Sequence, residues 1–174
     1  MALGAKSEPK PDYAKELTVK FKNHTAVVAV VGIGYVGLPL AVEKAKVGFP
    51  VIGLDRNEER VGMIIRGENY IRDVKDDELK KVVSEGKLHA SNDFSELNDA
   101  DVVIICVPTP LTVHRMPDLQ YIENVTQQIA KHMRPGQLIS LESTTYPGTT
   151  EEVILPKLTA TGLKVGEDFF LCHS

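Results

Sequence analysis

The sequence predicts an α/β fold in which about six parallel strands form one open, doubly wound sheet. From Ala26 onward, short apolar runs alternate with amphipathic segments of helical period. Two of the runs, residues 27–31 and 102–107, are unbroken, which is typical of parallel strands that are buried on both faces. A glycine-rich turn directly follows the first run. Together these observations indicate repeated strand–helix–strand units.

The bounds of each element follow from these patterns. Strands are predicted at residues 26–31, 51–54, 87–90, 101–107, 137–142 and 168–172. Helices are predicted at residues 35–47, 57–67, 76–85, 118–133 and 149–160. Because crossovers between parallel strands are right-handed, two βαβαβ halves give the strand order 3-2-1-4-5-6 of a Rossmann-type sheet.

Cap and breaker residues predict where two of the helices begin and how one is interrupted. Asp118 follows a proline and is predicted to be an N-cap. Thr149 and Glu152 have the spacing of a capping box. Pro156 lies inside a helical pattern, so we expect it to kink or shorten that helix.

The first 25 residues precede the alternating pattern and are predicted to form a tail and a short helix. Residues 1–11 are small, charged or proline, which favours a disordered tail. Tyr13, Leu17 and Phe21 recur at the spacing of one helix face, which predicts an amphipathic helix over residues 12–22. Residues 26–174 are then predicted to form one domain.

Composition and charge exclude several classes of function. The net charge is −4 and no basic stripe is present, so nucleic-acid binding has no electrostatic support. No apolar run approaches the roughly 18 residues that a membrane span requires, and residues 1–11 lack the apolar core of a signal peptide. We therefore expect a cytoplasmic protein.

The two cysteines, Cys106 and Cys172, lie far apart and match no metal-binding spacing. Each falls in an apolar, strand-like run, so both are predicted to be reduced and buried. No metal site is predicted.

The glycine-rich turn has the spacing of the dinucleotide-binding fingerprint, with a strand before it, a helix after it and an acid at the end of the next strand. Gly32 permits the tight turn, Gly34 lets a pyrophosphate approach the backbone, and Gly37 lets the helix pack close to the strand. The pyrophosphate is expected at the helix N-terminus. The turn consists of Gly32, Ile33, Gly34, Tyr35, Val36 and Gly37.

The acid at the end of the second strand predicts which cofactor binds. Asp55 is expected to accept hydrogen bonds from the adenosine ribose, and its charge repels a 2′-phosphate, so NAD is favoured over NADP. Arg56 is adjacent and could receive a 2′-phosphate, which keeps NADP open as the alternative.

Two further loops follow the fourth and fifth strands, at the edge of the sheet where ligands bind in such folds. They contain residues 107–111 and 142–149, which are rich in proline and hydroxyl side chains. Stiff loops that carry threonines suit the nicotinamide end of a dinucleotide. Ordinary turn and cap chemistry explains the same residues equally well.

Four motifs taken together resemble the UDP-glucose/GDP-mannose dehydrogenase family. They are GIGYVGLP at residues 32–39, VPTP at 107–110, PDL at 117–119 and ESTTYPGT at 142–149. The last motif, with GENYI at residues 67–71, is most similar to the branch that acts on UDP-N-acetylhexosamines. The resemblance implies an NAD-dependent oxidation of the C6 hydroxyl of a UDP-sugar to a carboxylate. It also implies two NAD per turnover, a cysteine thioester and a homodimeric full-length enzyme.

The resemblance also assigns roles to individual residues. Backbone N–H groups of Tyr35 and Val36 would bind the pyrophosphate, and Asp55 and Arg60 the adenosine portion. Thr109 and Thr144 would line the nicotinamide side, and Thr144 would also position the catalytic water. The remaining residues expected at the cofactor are those beside the acid and in the two rim loops, namely Arg56, Val107, Pro108, Thr109, Ser143 and Thr144.

The chain departs from the family in one respect. The family's nucleophilic cysteine and its helpers lie beyond residue 174, and neither Cys106 nor Cys172 matches that position. We therefore expect this chain to bind the cofactor and to catalyse nothing alone. A stand-alone dinucleotide-binding module remains the alternative. A β-hydroxyacid-type dehydrogenase is disfavoured by the two rim loops.

Overall fold

The structure is a computed structural model that describes residues 10–111 and 117–174. Six parallel strands form one sheet with the order β3-β2-β1-β4-β5-β6, which confirms the predicted fold and strand order. The strands are β1 Val28–Val31, β2 Val51–Leu54, β3 Leu88–Ser91, β4 Val102–Ile105, β5 Leu138–Leu141 and β6 Phe170–His173.

Helices connect the strands and cover both faces of the sheet. The α-helices are α1 Tyr13–Lys22, α2 Gly37–Lys46, α3 Glu58–Ile65, α4 Asp76–Ser84, α5 Gln120–His132 and α6 Leu155–Thr159. A short 3₁₀ helix, Phe94–Asn98, precedes β4 and was not predicted. No helix within the described ranges is long and apolar enough to cross a membrane.

The core consists of two apolar clusters, one on each face of the central strands. Alternate residues of β1 point to opposite clusters: Val30 belongs to the cluster under α2, α3 and α4, and Val31 to the cluster under α5 and α6. All four residues of β1 and of β4 are buried. This burial on both faces explains why these strands read as unbroken apolar runs.

Helix α1 packs at the end of the sheet where the strands begin, opposite the glycine turn. Leu17 is its buried residue, and Lys20 forms a 2.6 Å ion pair with Asp101, directly before β4. Residues 1–9 of the predicted tail lie outside the described residues. Lys10 forms a 2.7 Å ion pair with Asp168, so the predicted disorder does not extend to Lys10.

Both helix caps predicted from the sequence are wrong. Helix α5 begins at Gln120, so the N-cap position belongs to Leu119 and not to Asp118. The N–H of Asp118 bonds to the carbonyl of Pro110, and its carboxylate accepts from the N–H of Gln120. Thr149 donates its hydroxyl to the carbonyl of Tyr146 at 2.8 Å. The N–H of Glu152 donates instead to the carbonyl of Gly148 at 2.8 Å, so no capping box forms.

Two further predictions concern the last third of the chain. The helix predicted at residues 149–160 is divided into a π-helical turn, Thr150–Ile154, and α6, in whose first turn Pro156 lies. The predicted interruption is thus confirmed. Cys172 is exposed rather than buried, because it is one of the last two residues of the edge strand β6, and both are exposed.

Candidate dinucleotide-binding site

A cleft of about 430 Å³ opens at the carboxyl ends of β1, β2 and β4. The strand order reverses between β1 and β4, and this is where open α/β sheets bind their ligands. Nine of the residues predicted from the sequence line it: Gly32, Gly34, Tyr35, Val36, Asp55, Arg56, Arg60, Val107 and Pro108.

The three glycines of the turn differ in the space around them. Gly32 has φ +92°, and a Cβ there would lie 2.7 Å from the carbonyl oxygen of Cys106. A Cβ on Gly37 would lie 1.8 Å from the carbonyl oxygen of Gly32. At Gly34 the nearest atom to a Cβ is the end of the flexible Arg60 side chain, at 3.6 Å. The fold therefore requires the first and third glycines, whereas Gly34 only leaves the cleft open.

The start of α2 presents hydrogen-bond donors to this cleft. Among the described residues, neither a carbonyl nor a side chain accepts from the N–H groups of Gly34, Tyr35 and Val36. The helix has no side-chain cap, and Tyr35 is 72% exposed. Free N–H groups at a helix N-terminus form a binding site for an anionic diphosphate.

Asp55 lies between the glycine turn and the start of α3. Its Oδ2 accepts from the N–H of Ile33 at 3.1 Å, and its Oδ1 accepts from the N–H of Asn57 at 2.9 Å. Nη1 of Arg60 lies 3.7 Å from Oδ2, while Arg56 is exposed at the mouth of the cleft. These backbone contacts fix the carboxylate where a ribose hydroxyl could still donate to it.

The two rim loops are tied to each other beside the cleft rather than inside it. Ser143 is buried and donates its hydroxyl to the carbonyl of Val107 at 2.7 Å. The hydroxyl of Thr109 donates to the carbonyl of Thr144 at 2.6 Å. None of Thr109, Ser143 and Thr144 lines the 430 Å³ cleft. The contacts of Thr109 and Thr144 with the nicotinamide, and of Ser143 with the cofactor, stay a prediction.

Sequence reasoning missed the apolar wall of the cleft. Phe94 lies on the unpredicted 3₁₀ helix, and Tyr121 and Val125 lie on α5. Tyr121 is 47% exposed, an unusual position for an aromatic side chain on a helix that covers a sheet. The sequence alone gives no signal for this wall, but its exposed aromatic surface suits an adenine ring.

Cys106 lines the bottom of the cleft but is unsuited to nucleophilic chemistry. Burial, together with the charge of Glu142, raises the pKa of its thiol to about 12. The thiol therefore stays protonated at neutral pH, and only a thiolate attacks efficiently. Over the described ranges, no group of three or more His, Cys, Asp or Glu side chains is placed to hold a metal ion.

These residues fit a bound NAD. Gly34 leaves space at the cleft, three N–H groups there have no acceptor among the described residues, and Asp55 lines the same cleft, an arrangement that suits a diphosphate and a ribose. The sequence model of the UDP-glucose/GDP-mannose dehydrogenase family, NAD binding domain, matches residues 26–174.

Comparison with individual proteins gives the same assignment. The chain is 40% identical over 148 residues to a UDP-N-acetyl-D-mannosamine dehydrogenase of Pyrococcus horikoshii, covering 84% of this chain and 35% of the relative. It is also 40% identical over 148 residues to a UDP-N-acetyl-D-glucosamine 6-dehydrogenase of Pseudomonas aeruginosa, covering 84% of this chain and 34% of the relative. The chain thus spans about a third of the length of these curated relatives.

Solved structures agree with this result. The P. horikoshii enzyme superimposes with a TM-score of 0.79, covering 84% of this chain and 35% of that chain. A GDP-mannose dehydrogenase from Pseudomonas aeruginosa superimposes with a TM-score of 0.78 at 32% identity, covering 83% of this chain and 34% of that chain. The family model and these matches, together with the glycine turn and the cleft, show that the chain belongs to the UDP-glucose/GDP-mannose dehydrogenase family and contains its NAD-binding domain.

Proposed function

We propose that this chain is the cofactor-binding part of a dehydrogenase that oxidises the C6 hydroxyl of a UDP-N-acetylhexosamine to a carboxylate. The observation that carries the proposal is the 40% identity to two relatives named for such substrates. A third relative at 40% identity, from Ralstonia nicotianae, is named an NDP-N-acetyl-D-galactosaminuronic acid dehydrogenase. UDP-N-acetylglucosamine is our first choice of substrate, and its mannosamine epimer is the second.

The residues of this chain would contribute binding and orientation. NAD, when bound, supplies the hydride acceptor, and two molecules are reduced for each sugar oxidised. The free N–H groups from Gly34 to Val36 hold the diphosphate, and Asp55 holds the adenosine ribose. These contacts fix the adenosine half of the cofactor and direct the other half toward the loop after β5.

Thr144 is the proposed catalytic residue on this chain. It is exposed on the loop after β5, and its backbone carbonyl, not its hydroxyl, binds Thr109. The hydroxyl is thus available to orient a water molecule near the reacting carbon. A hydroxyl has no means of deprotonating that water at neutral pH, so its role is orientation.

The test is an assay of the full-length enzyme with NAD against four substrates: UDP-N-acetylglucosamine, UDP-N-acetylmannosamine, UDP-glucose and GDP-mannose. We expect NADH formation with one of the two N-acetylated sugars, at two NADH per sugar, and release of the uronic acid. Oxidation of UDP-glucose or GDP-mannose alone would contradict the substrate assignment. Gel filtration of the same sample tests the proposed homodimer.

A further inference from the structure

The two polar backbone groups of Ile33 are held by side chains from distant parts of the chain. Its N–H donates to Oδ2 of Asp55 at 3.1 Å. Its carbonyl accepts a 2.6 Å hydrogen bond from the hydroxyl of Tyr70, 37 residues further along the chain. The Ile33 side chain is fully buried. Both polar backbone groups and the side chain of Ile33 are therefore held in place.

The carbonyl of Ile33 belongs to the same peptide group as the N–H of Gly34. A trans peptide is planar, and its C=O and N–H point in opposite directions. No cis peptide occurs among the described residues. A side chain that holds the Ile33 carbonyl therefore also fixes the direction of the Gly34 N–H, and Gly34 lines the cleft.

We propose that Tyr70 is a positioning residue of the dinucleotide site: it aims the Gly34 N–H at the cofactor diphosphate by holding the other end of that peptide group. The inference rests on the proposed binding of the diphosphate at this turn. It assigns a role to a residue that does not itself line the cleft.

The loop that carries Tyr70 is built to present it. Asn69 donates to the carbonyl of Val74 at 2.6 Å and accepts from the N–H of Ile71 at 2.9 Å. These two contacts enclose Tyr70 within a closed turn. Since this turn is held by its own hydrogen bonds, Tyr70 loses little conformational entropy when its hydroxyl binds the carbonyl of Ile33.

The chemistry of the Tyr70 side chain suits this role. Burial, and the nearby charge of Asp55, raise the pKa of its phenol well above the ordinary value of 10.0, so the hydroxyl remains a donor at any physiological pH. The guanidinium carbon of Arg60 lies 6.0 Å from the centre of the Tyr70 ring. This cation–π contact holds a positive charge beside Gly34, where a diphosphate would lie.

The test compares Tyr70→Phe with Tyr13→Phe, the same chemical change on α1 at the opposite end of the sheet. NAD and ADP are titrated by calorimetry, and adenosine, which lacks a diphosphate, is titrated by NMR. In Tyr70→Phe we expect NAD and ADP to bind roughly three- to thirtyfold more weakly, the effect of one lost hydrogen bond. Adenosine binding should not change. Tyr13→Phe should bind all three ligands as the wild type does.

A second measurement separates orientation from general loss of stability. In Tyr70→Phe, amide hydrogen exchange should accelerate at Leu38, whose N–H bonds to the Gly34 carbonyl at 3.1 Å, but not in β1. Unchanged NAD affinity would overturn the inference. An equal loss for adenosine, with faster exchange throughout the sheet, would also overturn it. If the wild type binds no NAD, the proposed cofactor site itself fails.

Discussion

The hydroxyl of Thr109 donates a 2.6 Å hydrogen bond to the backbone carbonyl of Thr144, and this bond joins the loop after β4 to the loop after β5. The two threonines therefore contribute different chemical groups to the same hydrogen bond. Thr109 uses its side chain, whereas Thr144 uses its main chain and leaves its hydroxyl for another partner. Substitution can separate the structural role from the proposed catalytic one.

In the full-length enzyme, Thr144→Ala should reduce turnover by roughly ten- to a thousandfold while NAD affinity changes little, because one positioning hydrogen bond is lost. The bond from Thr109 remains, so the melting temperature should stay near that of the wild type. Steady-state kinetics and thermal unfolding measure the two effects. Normal turnover with a lowered melting temperature would leave Thr144 a purely structural residue.

Thr109→Val is the matched variant, since it keeps the shape of the side chain and removes the donor. It should destabilise the chain by about 1 kcal/mol and loosen both rim loops. We expect a higher KM for NAD in this variant, whereas Thr144→Ala should act on kcat. Identical kinetic effects in the two variants would contradict the separation of their roles.

Asp55 should make the chain prefer NAD over NADP by roughly a hundredfold, because a 2′-phosphate would lie against a carboxylate of like charge. Calorimetric titration of both cofactors measures the preference. In Asp55→Asn the preference should shrink, with some loss of stability because one of its two backbone donors loses its acceptor. Equal affinity in the wild type, abolished by Arg56→Ala, would show that Arg56 receives the phosphate instead.

Asp101 should contribute to stability in a pH-dependent way. Burial alone would raise the pKa of this carboxyl, but hydrogen bonds from Lys20, the N–H of Val27 and Arg134 outweigh it and lower the pKa below its ordinary value of 3.8. A lowered pKa in the folded state stabilises the fold above the unfolded-state value, and this contribution is lost as the pH falls through the folded-state value.

Asp101→Asn should therefore destabilise the chain by about 2 kcal/mol at pH 7, since two cations and a backbone donor lose a charged acceptor. Urea unfolding at neutral pH and at about pH 3 measures the difference between variant and wild type. We expect the difference to shrink in acid, because below about pH 3.8 the unfolded chain binds a proton at this carboxyl that the folded chain binds only at lower pH. A constant difference at every pH would mean that the charge of Asp101 is not the cause.

The strand order and the glycine turn were predictable because each depends on a local pattern. Unbroken apolar runs such as residues 102–107 predict buried strands, and the handedness of crossovers then leaves one order. The caps failed for the opposite reason. Thr149 has the sequence of a cap, but the N–H of Glu152 bonds to the carbonyl of Gly148, a partner that the cap pattern does not indicate.

The site was predictable only where chemistry and local sequence coincide. Gly34 and Asp55 belong to one short fingerprint, and both line the cleft; their contacts with the cofactor stay a prediction. Tyr70 acts across 37 residues, and Phe94 reaches the cleft from a 3₁₀ helix with no strong sequence pattern. Such contacts follow from the packing of several elements together and carry no periodic signal of their own.

The central claim is that the cofactor diphosphate lies against Gly34, and Gly34→Ala tests it most directly. A methyl group at this position meets only the end of the Arg60 side chain, at 3.6 Å, so the fold should accept it. The same methyl group should meet the diphosphate and weaken NAD binding by roughly tenfold to a hundredfold. Gly62→Ala in α3, which also meets only an arginine side chain, is the matched control.

The measurement is a calorimetric titration of NAD into the wild type, Gly34→Ala and Gly62→Ala, with the melting temperature of each unliganded protein. We predict tight binding to the wild type and to Gly62→Ala, weak binding to Gly34→Ala, and an unliganded Gly34→Ala that melts no lower than the wild type. Equal NAD affinity in Gly34→Ala and the wild type would contradict the placement of the cofactor at this turn.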